Sequence, residues 1–219
     1  MMQESTLRHQ VVEVAQRLSR QGLVIATSGN VSGADRGAGV MALTPSGIAY
    51  RTLTAAMIDL IDLETGRVRE GELPPSSELP LHLAVYGARA DVHAVVHTHS
   101  LYATLLGVTG RTVEPFHYAV GLLGDEVRLA PYARYGTETL ARSVVEHLGA
   151  NGAVLLQNHG AVTVGQDLEE AEERAALLEW LAQLTVGATM LGAGRRLSDA
   201  EMAEAREALR HYGEAPDRA

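Results

Sequence analysis

Helical and strand periodicities alternate along the whole chain, and this alternation is what most limits its possible folds. In residues 5–20, apolar side chains recur at intervals of three and four, which predicts an amphipathic helix. Residues 92–98 are rich in β-branched side chains and predict a buried strand. Turns rich in glycine or proline separate short segments of these two kinds. The pattern predicts an α/β fold in which a central β-sheet is flanked by helices on both faces.

The remaining segments follow the same two periodicities. We expect further strands near residue 31 and at 40–43, 58–63, 127–130, 153–156 and 161–164. We expect further helices at 79–89, 101–106, 137–148, 168–190 and 198–212. A chain of 219 residues without an internal repeat, a linker or a low-complexity segment can bury a single core. The sequence therefore predicts one domain over residues 1–219.

Two residue types are missing from the sequence, and their absence limits the chemistry. There is no cysteine, which excludes disulfides, thiolate nucleophiles and cysteine-based zinc sites. All 18 basic residues are arginine, so Schiff-base catalysis, pyridoxal-phosphate attachment and a P-loop lysine are excluded as well. A metal would have to bind to histidine and carboxylate side chains, and carbanion chemistry would need such a metal.

The net charge and the hydropathy of the chain bear on its partners. The 27 acidic and 18 basic residues give a formal net charge of −9, which argues against nucleic acid or an anionic membrane as a general partner. No apolar run approaches the roughly 18 residues of a membrane span, and residues 1–10 lack the features of a signal peptide. We therefore expect a cytoplasmic protein that binds any anion locally.

Three histidines are the candidate metal ligands. His97 and His99 lie at the end of a predicted strand, where residues two apart point to the same side. The same alternation places His93 on that side, so alternation alone does not decide which pair binds a metal. His159 lies in a second turn, between two predicted strands. Three imidazoles and one carboxylate would suit Zn²⁺.

Short polar turns are the candidate anion-binding elements. Glu78 follows two serines and two prolines at the head of a predicted helix, where backbone N–H groups and the helix dipole favour a negative charge. Ser76 and Ser77 in the same helix start could bind a phosphate. Two further turns, Gly29-Asn30 and Ser46-Gly47, could form nests of backbone N–H groups. Each of these turns, taken singly, is also typical of ordinary loops.

In combination, five ordered motifs resemble the class II aldolase and adducin head family over nearly the whole chain, residues 5–212. They are Ser28-Gly29-Asn30-Val31-Ser32, Thr44-Pro45-Ser46-Gly47, Ser76-Ser77-Glu78, His97-Thr98-His99 and Asn158-His159-Gly160. The resemblance implies a zinc ion ligated by His97, His99 and His159, with Glu78 as a further ligand and the catalytic acid/base. It implies a phosphate pocket formed by Gly29, Asn30, Ser46, Gly47, Ser76 and Ser77, with Ser46 where the aldolases more often have threonine. It also implies that Tyr118 and Tyr212 complete the site, partly across a subunit boundary.

The resemblance further implies a function. We expect reversible, zinc-dependent retro-aldol cleavage of a phosphorylated ketose, such as L-fuculose 1-phosphate, to dihydroxyacetone phosphate and an aldehyde. The same resemblance implies one zinc ion per subunit of a homotetramer. Glu78 would move a proton at the carbon beside the carbonyl, and Tyr118 would exchange the proton of the aldehyde-side hydroxyl.

Several alternatives stay open within and beyond this activity. Related epimerases, dehydratases and decarboxylases use similar zinc chemistry, and a non-catalytic adducin-like binding module would share the fold. Glu78 argues against the epimerases, which usually have aspartate at this position. It does not argue against the dehydratases, which also carry glutamate there.

Overall fold

The computed structural model describes residues 4–210, and within them eight strands form one mixed sheet. The strands are β1 (Asn30–Asp35), β2 (Val40–Leu43), β3 (Asp59–Asp62), β4 (Val68–Glu70), β5 (Ala94–Thr98), β6 (Arg128–Ala130), β7 (Ala153–Leu156) and β8 (Gly160–Gly165). Their order across the sheet is β4-β3-β2-β1-β5-β8-β7-β6. Neighbouring strands are antiparallel except for the parallel pair β6 and β7.

Helices cover both faces of this sheet. They are α1 (Glu4–Arg20), α2 (Leu79–Ala88), α3 (Leu101–Val108), α4 (Glu138–Leu148), α5 (Leu168–Met190) and α6 (Asp199–Arg210), with short 3₁₀ helices at Tyr50–Thr52, Ala55–Met57 and Tyr118–Leu123. Helices α1, α3 and α5 pack on one face, and α2 and α4 pack on the other. Strand β5 shows why: Val96 faces α1 and α5, whereas its neighbour Val95 faces α2 and α4. The predicted fold class is confirmed.

Most predicted segments correspond to observed elements, and the exceptions are short. The Thr137 hydroxyl accepts a hydrogen bond from the Leu140 N–H at 3.3 Å and so caps α4. Ser198 and Glu201 form the reciprocal box that starts α6; the predicted extension of this helix to residue 212 runs beyond the described residues. Strand β4 was not predicted, because three exposed residues are too few to show an alternation.

The pairing of β5 with its neighbours determines where distant loops meet. Strands β5 and β8 are antiparallel with Thr98 opposite Ala161, so the end of β5 meets the start of β8. On the other side, β1 begins with Asn30 opposite His97. The start of α2 lies against the same edge, because its N-cap residue Glu78 contacts His97. Three loops and a helix start therefore converge at one end of the central strands. Among residues 4–210, every helix is too short or too polar to cross a lipid bilayer.

Asp59 in β3, three strands from β5 in the sheet order, predicts a pH-dependent stability. Its side chain is fully buried, and neither carboxylate oxygen has a hydrogen-bond partner among residues 4–210. Burial raises the pKa of Asp59 from 3.8 to about 6, against the opposing charge of Arg8. Between these two values the folded chain binds more protons than the unfolded chain, so stability falls as the pH rises from 4 to 6.

We therefore expect Asp59→Asn to stabilise the protein above pH 6. The predicted gain is about 2 kcal/mol at pH 7.5, because the buried negative charge is removed. Thermal unfolding of both proteins at pH 7.5 and at pH 4 measures it, and the difference in Tm should shrink or vanish at the lower pH. An equal or larger difference at pH 4 would contradict a buried charge as the cause.

Candidate active site

Three imidazole rings converge at the edge where β5 meets β8. His97 is the fourth residue of β5, His99 follows the strand, and His159 lies in the turn between β7 and β8. The ring centroids are 4.8 Å, 4.8 Å and 4.9 Å apart. One ring nitrogen from each histidine lies within 4.8 Å of the other two. His93, which the alternation left as an alternative, lies just before β5 and does not join this cluster.

The backbone brings the rings together through a close approach that only glycine permits. A Cβ atom at Gly160 would lie 2.2 Å from the carbonyl oxygen of Thr98, so no other residue fits between the two strands here. Asn158, in the same turn, adopts a positive φ of 54°, a conformation that asparagine tolerates better than most residues. The β7–β8 turn therefore places His159 directly against the end of β5.

His97 presents a defined nitrogen to the centre of the cluster. Its Nδ1 lies 2.9 Å from the carbonyl oxygen of Ala161. Because a carbonyl oxygen only accepts, Nδ1 carries the hydrogen, and Nε2 faces the cluster. This Nε2 lies 3.0 Å from Nε2 of His99 and 3.0 Å from Oε2 of Glu78. The arrangement is the one by which ligating histidines are commonly oriented, with the outer nitrogen bound to a carbonyl.

Glu78 adds a buried carboxylate to the three rings. It is the N-cap residue of α2 and only 5% exposed. Its Oε1 lies 3.5 Å from Nε2 of His159 and has no hydrogen-bond partner among the described residues. Burial opposes the negative charge of Glu78, but the facing His97 and His159 imidazoles hold its pKa below the usual range. The carboxylate is therefore ionised and still lacks a partner for one oxygen.

The electrostatics of the cluster fit a bound cation. Burial, assisted by His97, lowers the pKa of His99 to about 3 and that of His159 to about 4, so both rings are neutral lone-pair donors. Burial also opposes a charge on His97, yet the Glu78 carboxylate raises the pKa of His97. The neutral rings of His99 and His159 offer lone pairs, and the pair formed by His97 and Glu78 favours a positive charge between the two side chains. Both features suit a divalent metal ion. Three imidazoles and a carboxylate are a ligand set that Zn²⁺ uses in proteins.

A cavity of about 220 Å³ opens beside the cluster and joins it to the turns predicted to bind phosphate. Its lining includes Gly29, Ser46, Gly47, Ser76, Ser77, Glu78, His99 and His159. A hydrogen bond joins the loop after β2 to the loop before α2: the Ser46 N–H donates to the Pro74 carbonyl at 3.0 Å. Ser77, Ser46 and Gly47 are exposed to solvent at the mouth. The structure thus brings together the predicted metal site and most of the predicted anion site.

Asn30 differs from the other predicted phosphate residues. Its side chain is 3% exposed, and Asn30 is not among the residues that line the cavity. Its Nδ2 donates to Oε2 of Glu78 at 2.9 Å, and its Oδ1 lies 2.5 Å from Nε2 of His82. The reason is strand alternation: Asn30 and His97 are opposite each other in paired strands, so their side chains share the face covered by α2. The amide contacts the carboxylate rather than the cavity.

Of the two predicted tyrosines, the structure describes only Tyr118. Tyr118 begins a 3₁₀ helix, is 51% exposed and stacks on His117 with ring centroids 4.4 Å apart. It borders a surface groove formed with α6, and it does not line the cavity beside the histidines within this chain. Tyr212 lies outside the described residues. The structure therefore does not place either tyrosine at the cavity of its own chain.

Sequence reasoning missed several residues at this site. Thr27, Ser28 and Tyr135 line the cavity, and Tyr135 is 62% exposed at its rim. His82, which is fully buried and contacts Asn30, lies in the segment 79–89 that was predicted only to be a helix. A usable signal existed for His82, because it follows Glu78 by four residues and so lies on the same side of α2. No comparable signal pointed to Tyr135, which lies in an irregular loop.

Comparison with known proteins identifies the family of this chain. Residues 9–186 match the family described as Class II Aldolase and Adducin N-terminal domain. The 5-deoxy-D-ribulose 1-phosphate aldolase of Bacillus thuringiensis serovar kurstaki is 34% identical over 207 residues, which are 94% of this chain and 97% of that protein.

Similarity to L-fuculose phosphate aldolases is found both in sequence and in structure. The enzyme of Escherichia coli K12 is 36% identical over 214 residues, covering 97% of this chain and 98% of that protein. A solved structure of an L-fuculose 1-phosphate aldolase superimposes with a TM-score of 0.90 at 34% identity, covering 93% of this chain and 96% of that one. This chain therefore belongs to the class II aldolase and adducin family.

Proposed function

We propose that this protein is a zinc-dependent aldolase that reversibly cleaves a phosphorylated ketose to dihydroxyacetone phosphate and an aldehyde. L-fuculose 1-phosphate and 5-deoxy-D-ribulose 1-phosphate are the substrates to test first, because they are named for its relatives. The observation that carries the proposal is the convergence of three imidazoles and a buried carboxylate beside a cavity lined by hydroxyls and glycines. The chain is a class II aldolase, and so a lyase, by its family and its relatives.

His97, His99 and His159, with Glu78, would hold the metal ion. When bound, the ion supplies Lewis acidity that stabilises negative charge on the substrate carbonyl oxygen. The chain has no lysine that could form an imine instead. His97 is held in the correct tautomer by the Ala161 carbonyl, and His99 and His159 are neutral because they are buried.

Glu78 is the group that would exchange the proton at the carbon beside the carbonyl. One of its oxygens, Oε2, accepts a hydrogen bond from Asn30, whereas Oε1 has no partner in the described part of the chain. A buried carboxylate with one free oxygen at the cavity wall can accept a proton from a substrate and return it. The facing His97 and His159 imidazoles and the Asn30 amide favour its charged form.

The substrate phosphate would lie against the turns on the opposite wall. Ser76, Ser77 and Ser46 supply hydroxyls, and Gly29 and Gly47 have positive φ angles of 78° and 74° that turn the backbone towards the cavity. A dianion held by hydroxyls and backbone N–H groups needs no lysine. Such local binding of the phosphate is compatible with the overall net charge of −9.

Tyr118 would act from a second copy of the chain. It is half exposed and lies away from the cavity of its own chain, so it can reach a site only across an interface. Large apolar side chains on α3 and α5, including Leu101, Val108 and Trp180, are exposed and suit such an interface. The family resemblance implies a homotetramer, and we propose this assembly with one metal ion per subunit and a location in the cytoplasm.

Product analysis separates the aldolase from its alternatives. The purified protein with Zn²⁺ is incubated with L-fuculose 1-phosphate, 5-deoxy-D-ribulose 1-phosphate and ribulose 5-phosphate. Dihydroxyacetone phosphate should form from at least one of the first two. Conversion of ribulose 5-phosphate to an epimer without cleavage would support an epimerase, and loss of water or CO₂ would support a dehydratase or decarboxylase. A protein that binds no metal and converts no ketose phosphate would be a binding module.

Metal removal is expected to abolish the activity. Prolonged dialysis against a chelator should leave less than a few percent of the cleavage rate, and one equivalent of Zn²⁺ should restore it, because the Lewis acidity of the ion is lost and the sequence has no lysine that could form an imine instead. The cleavage rate and the metal content, measured on the same samples, check this. A rate that is unchanged after the metal has been removed would contradict the proposal.

A further inference from the structure

A chain of buried hydrogen bonds leads from Glu78 into the space between β1 and α2. Asn30 donates to Glu78 at 2.9 Å and lies 2.5 Å from Nε2 of His82. On the other side of the ring, Nδ1 of His82 lies 2.7 Å from Oγ of Ser32. The hydroxyl of Tyr86 lies 2.7 Å from the same Oγ. All five side chains belong to residues that are at most 5% exposed.

Two periodicities align these residues. Asn30 and Ser32 are two apart on β1, so both face α2. Glu78, His82 and Tyr86 are four apart at the start of α2 and along it, so they lie on one side of the helix. The helix side and the strand side face each other, and each polar group meets a partner on the opposite element.

The Glu78 carboxylate determines where each hydrogen lies. The NH₂ group of Asn30 faces Oε2 of Glu78, and Oδ1 of Asn30 faces His82. Nε2 of His82 must then carry the ring hydrogen, because an amide oxygen can only accept and a neutral imidazole carries only one hydrogen. Nδ1 of His82 is left as an acceptor, so the Ser32 hydroxyl donates to it.

Tyr86 completes the sequence of donors. Since the single hydroxyl hydrogen of Ser32 is used on His82, the Tyr86 hydroxyl donates within the group, to Oγ of Ser32 at 2.7 Å or to the Ser32 carbonyl at 3.1 Å. The hydrogen bonds from Ser32 through His82 and Asn30 are thereby all directed towards Glu78. Only one orientation of the Asn30 amide satisfies all of these partners. In the flipped orientation, Oδ1 of Asn30 would face the Glu78 carboxylate, and two acceptors would then repel each other.

We propose that His82, Ser32 and Tyr86 are positioning residues that lock the amide of Asn30, and that the locked amide fixes Oε2 of Glu78 so that Oε1 exchanges the substrate proton. The role assigned to Oε1 rests on the proposed aldolase function. The locking of Asn30 does not depend on it. The surrounding face of the sheet is apolar, with Met41, Leu43 and Val95 buried in the same layer. Apolar side chains in place of these polar ones would pack there without any hydrogen bonds to satisfy. The buried hydrogen-bonded side chains are therefore not needed for packing.

His82→Phe tests the proposal, because phenylalanine keeps the ring and removes both hydrogen bonds. We expect kcat for ketose-phosphate cleavage to fall by about 10- to 100-fold, the usual effect of removing a group that orients a metal-site residue. KM should change little, because His82 does not line the cavity. His82→Gln, whose amide can donate to Asn30, should recover part of kcat, and the bound zinc measured by mass spectrometry should stay near one per subunit.

Val85→Ala is the matched control. Val85 lies on the same helix, is fully buried and packs in the same apolar layer, but it makes no contact in the hydrogen-bonded chain. It should lower the Tm at least as much as His82→Phe and leave kcat unchanged. If both variants lower kcat equally, the role of His82 is structural and the proposal is wrong. If His82→Phe does not fold, Ser32→Ala, which removes one hydrogen bond, replaces it under the same criteria.

A measurement on the metal-free protein tests the locking without any reaction. Two-bond ¹H–¹⁵N spectra of the imidazoles, assigned by loss of signals in His82→Phe, should show His82 with its hydrogen on Nε2. In Glu78→Gln the amide at position 78 can donate, so the Asn30 amide is free to flip and the Nδ1–H form of His82 should appear. A wild-type His82 with its hydrogen on Nδ1 would overturn the proposal, whereas a wild type without aldolase activity but with the Nε2–H form would overturn only the proposed function.

Discussion

Replacing Glu78 with Gln is expected to lower kcat for ketose-phosphate cleavage by about a thousandfold, within the range attributed to a positioned acid/base. The amide cannot take up the proton that Oε1 would accept. The three imidazoles, which would supply three of the four protein ligands of the metal, are unchanged in this variant. Zinc content should therefore stay near one ion per subunit, and KM should change by a few-fold at most. Steady-state kinetics and metal analysis on the same preparation measure both quantities.

Glu64→Gln is the control for this variant, because Glu64 is exposed in the turn after β3 and far from the cavity. It makes the same chemical change and should leave kcat, KM and zinc content at wild-type values. A Glu78→Gln protein that keeps its zinc and more than a tenth of the wild-type kcat would show that another group exchanges the proton. Loss of zinc together with kcat would instead make Glu78 chiefly a metal ligand.

Replacing His159 with Ala is expected to remove the metal and with it the activity. Two rings and Glu78 would remain. Because Glu78 is also proposed to exchange the substrate proton, only the two rings would hold the ion throughout, fewer than the three protein ligands that a tightly held zinc ion usually needs. We expect the cleavage rate to fall at least about a hundredfold, more than the loss of an outer hydrogen-bond partner produces. Zinc stabilises a folded protein that binds it, so added Zn²⁺ should raise the Tm of the wild type and leave that of the variant unchanged.

His93→Ala is the matched control for His159→Ala. His93 lies just before β5 and is half-buried, but it is not part of the cluster. It should retain zinc, the zinc-dependent rise in Tm and the cleavage rate. If His93→Ala lost zinc while His159→Ala kept it, the metal would bind to a different set of histidines.

The sequence predicts the elements of the fold better than their contacts. Long segments with a clear period, such as α1 and α5, were predicted nearly to their ends, whereas β4 is too short to show any period. The meeting of His97 with His159 cannot be read from spacing, because 62 positions separate them and only the β5–β8 pairing brings them together. That part of the site came from the resemblance of the ordered motifs to a family.

Asn30 shows why the rest of the site could not be predicted. A polar turn before a strand suggests a phosphate nest, and the neighbouring Gly29 does line the cavity. Which way the side chain at position 30 points depends on the face of β1 that α2 covers, and that is known only once the helix is docked. The same docking hides His82, whose partners lie on β1, 50 and 52 positions away.

The close approach of Gly160 to the Thr98 carbonyl has an evolutionary consequence. The spacing of the imidazoles is determined by main-chain contact between two strands, and not by the side chains around the substrate. Residues at the mouth, such as Tyr135 and Ser46, belong to loops that can change without altering that spacing. A lineage with this architecture can therefore acquire new sugar preferences by exchanging loop residues while its chemical machinery is inherited intact.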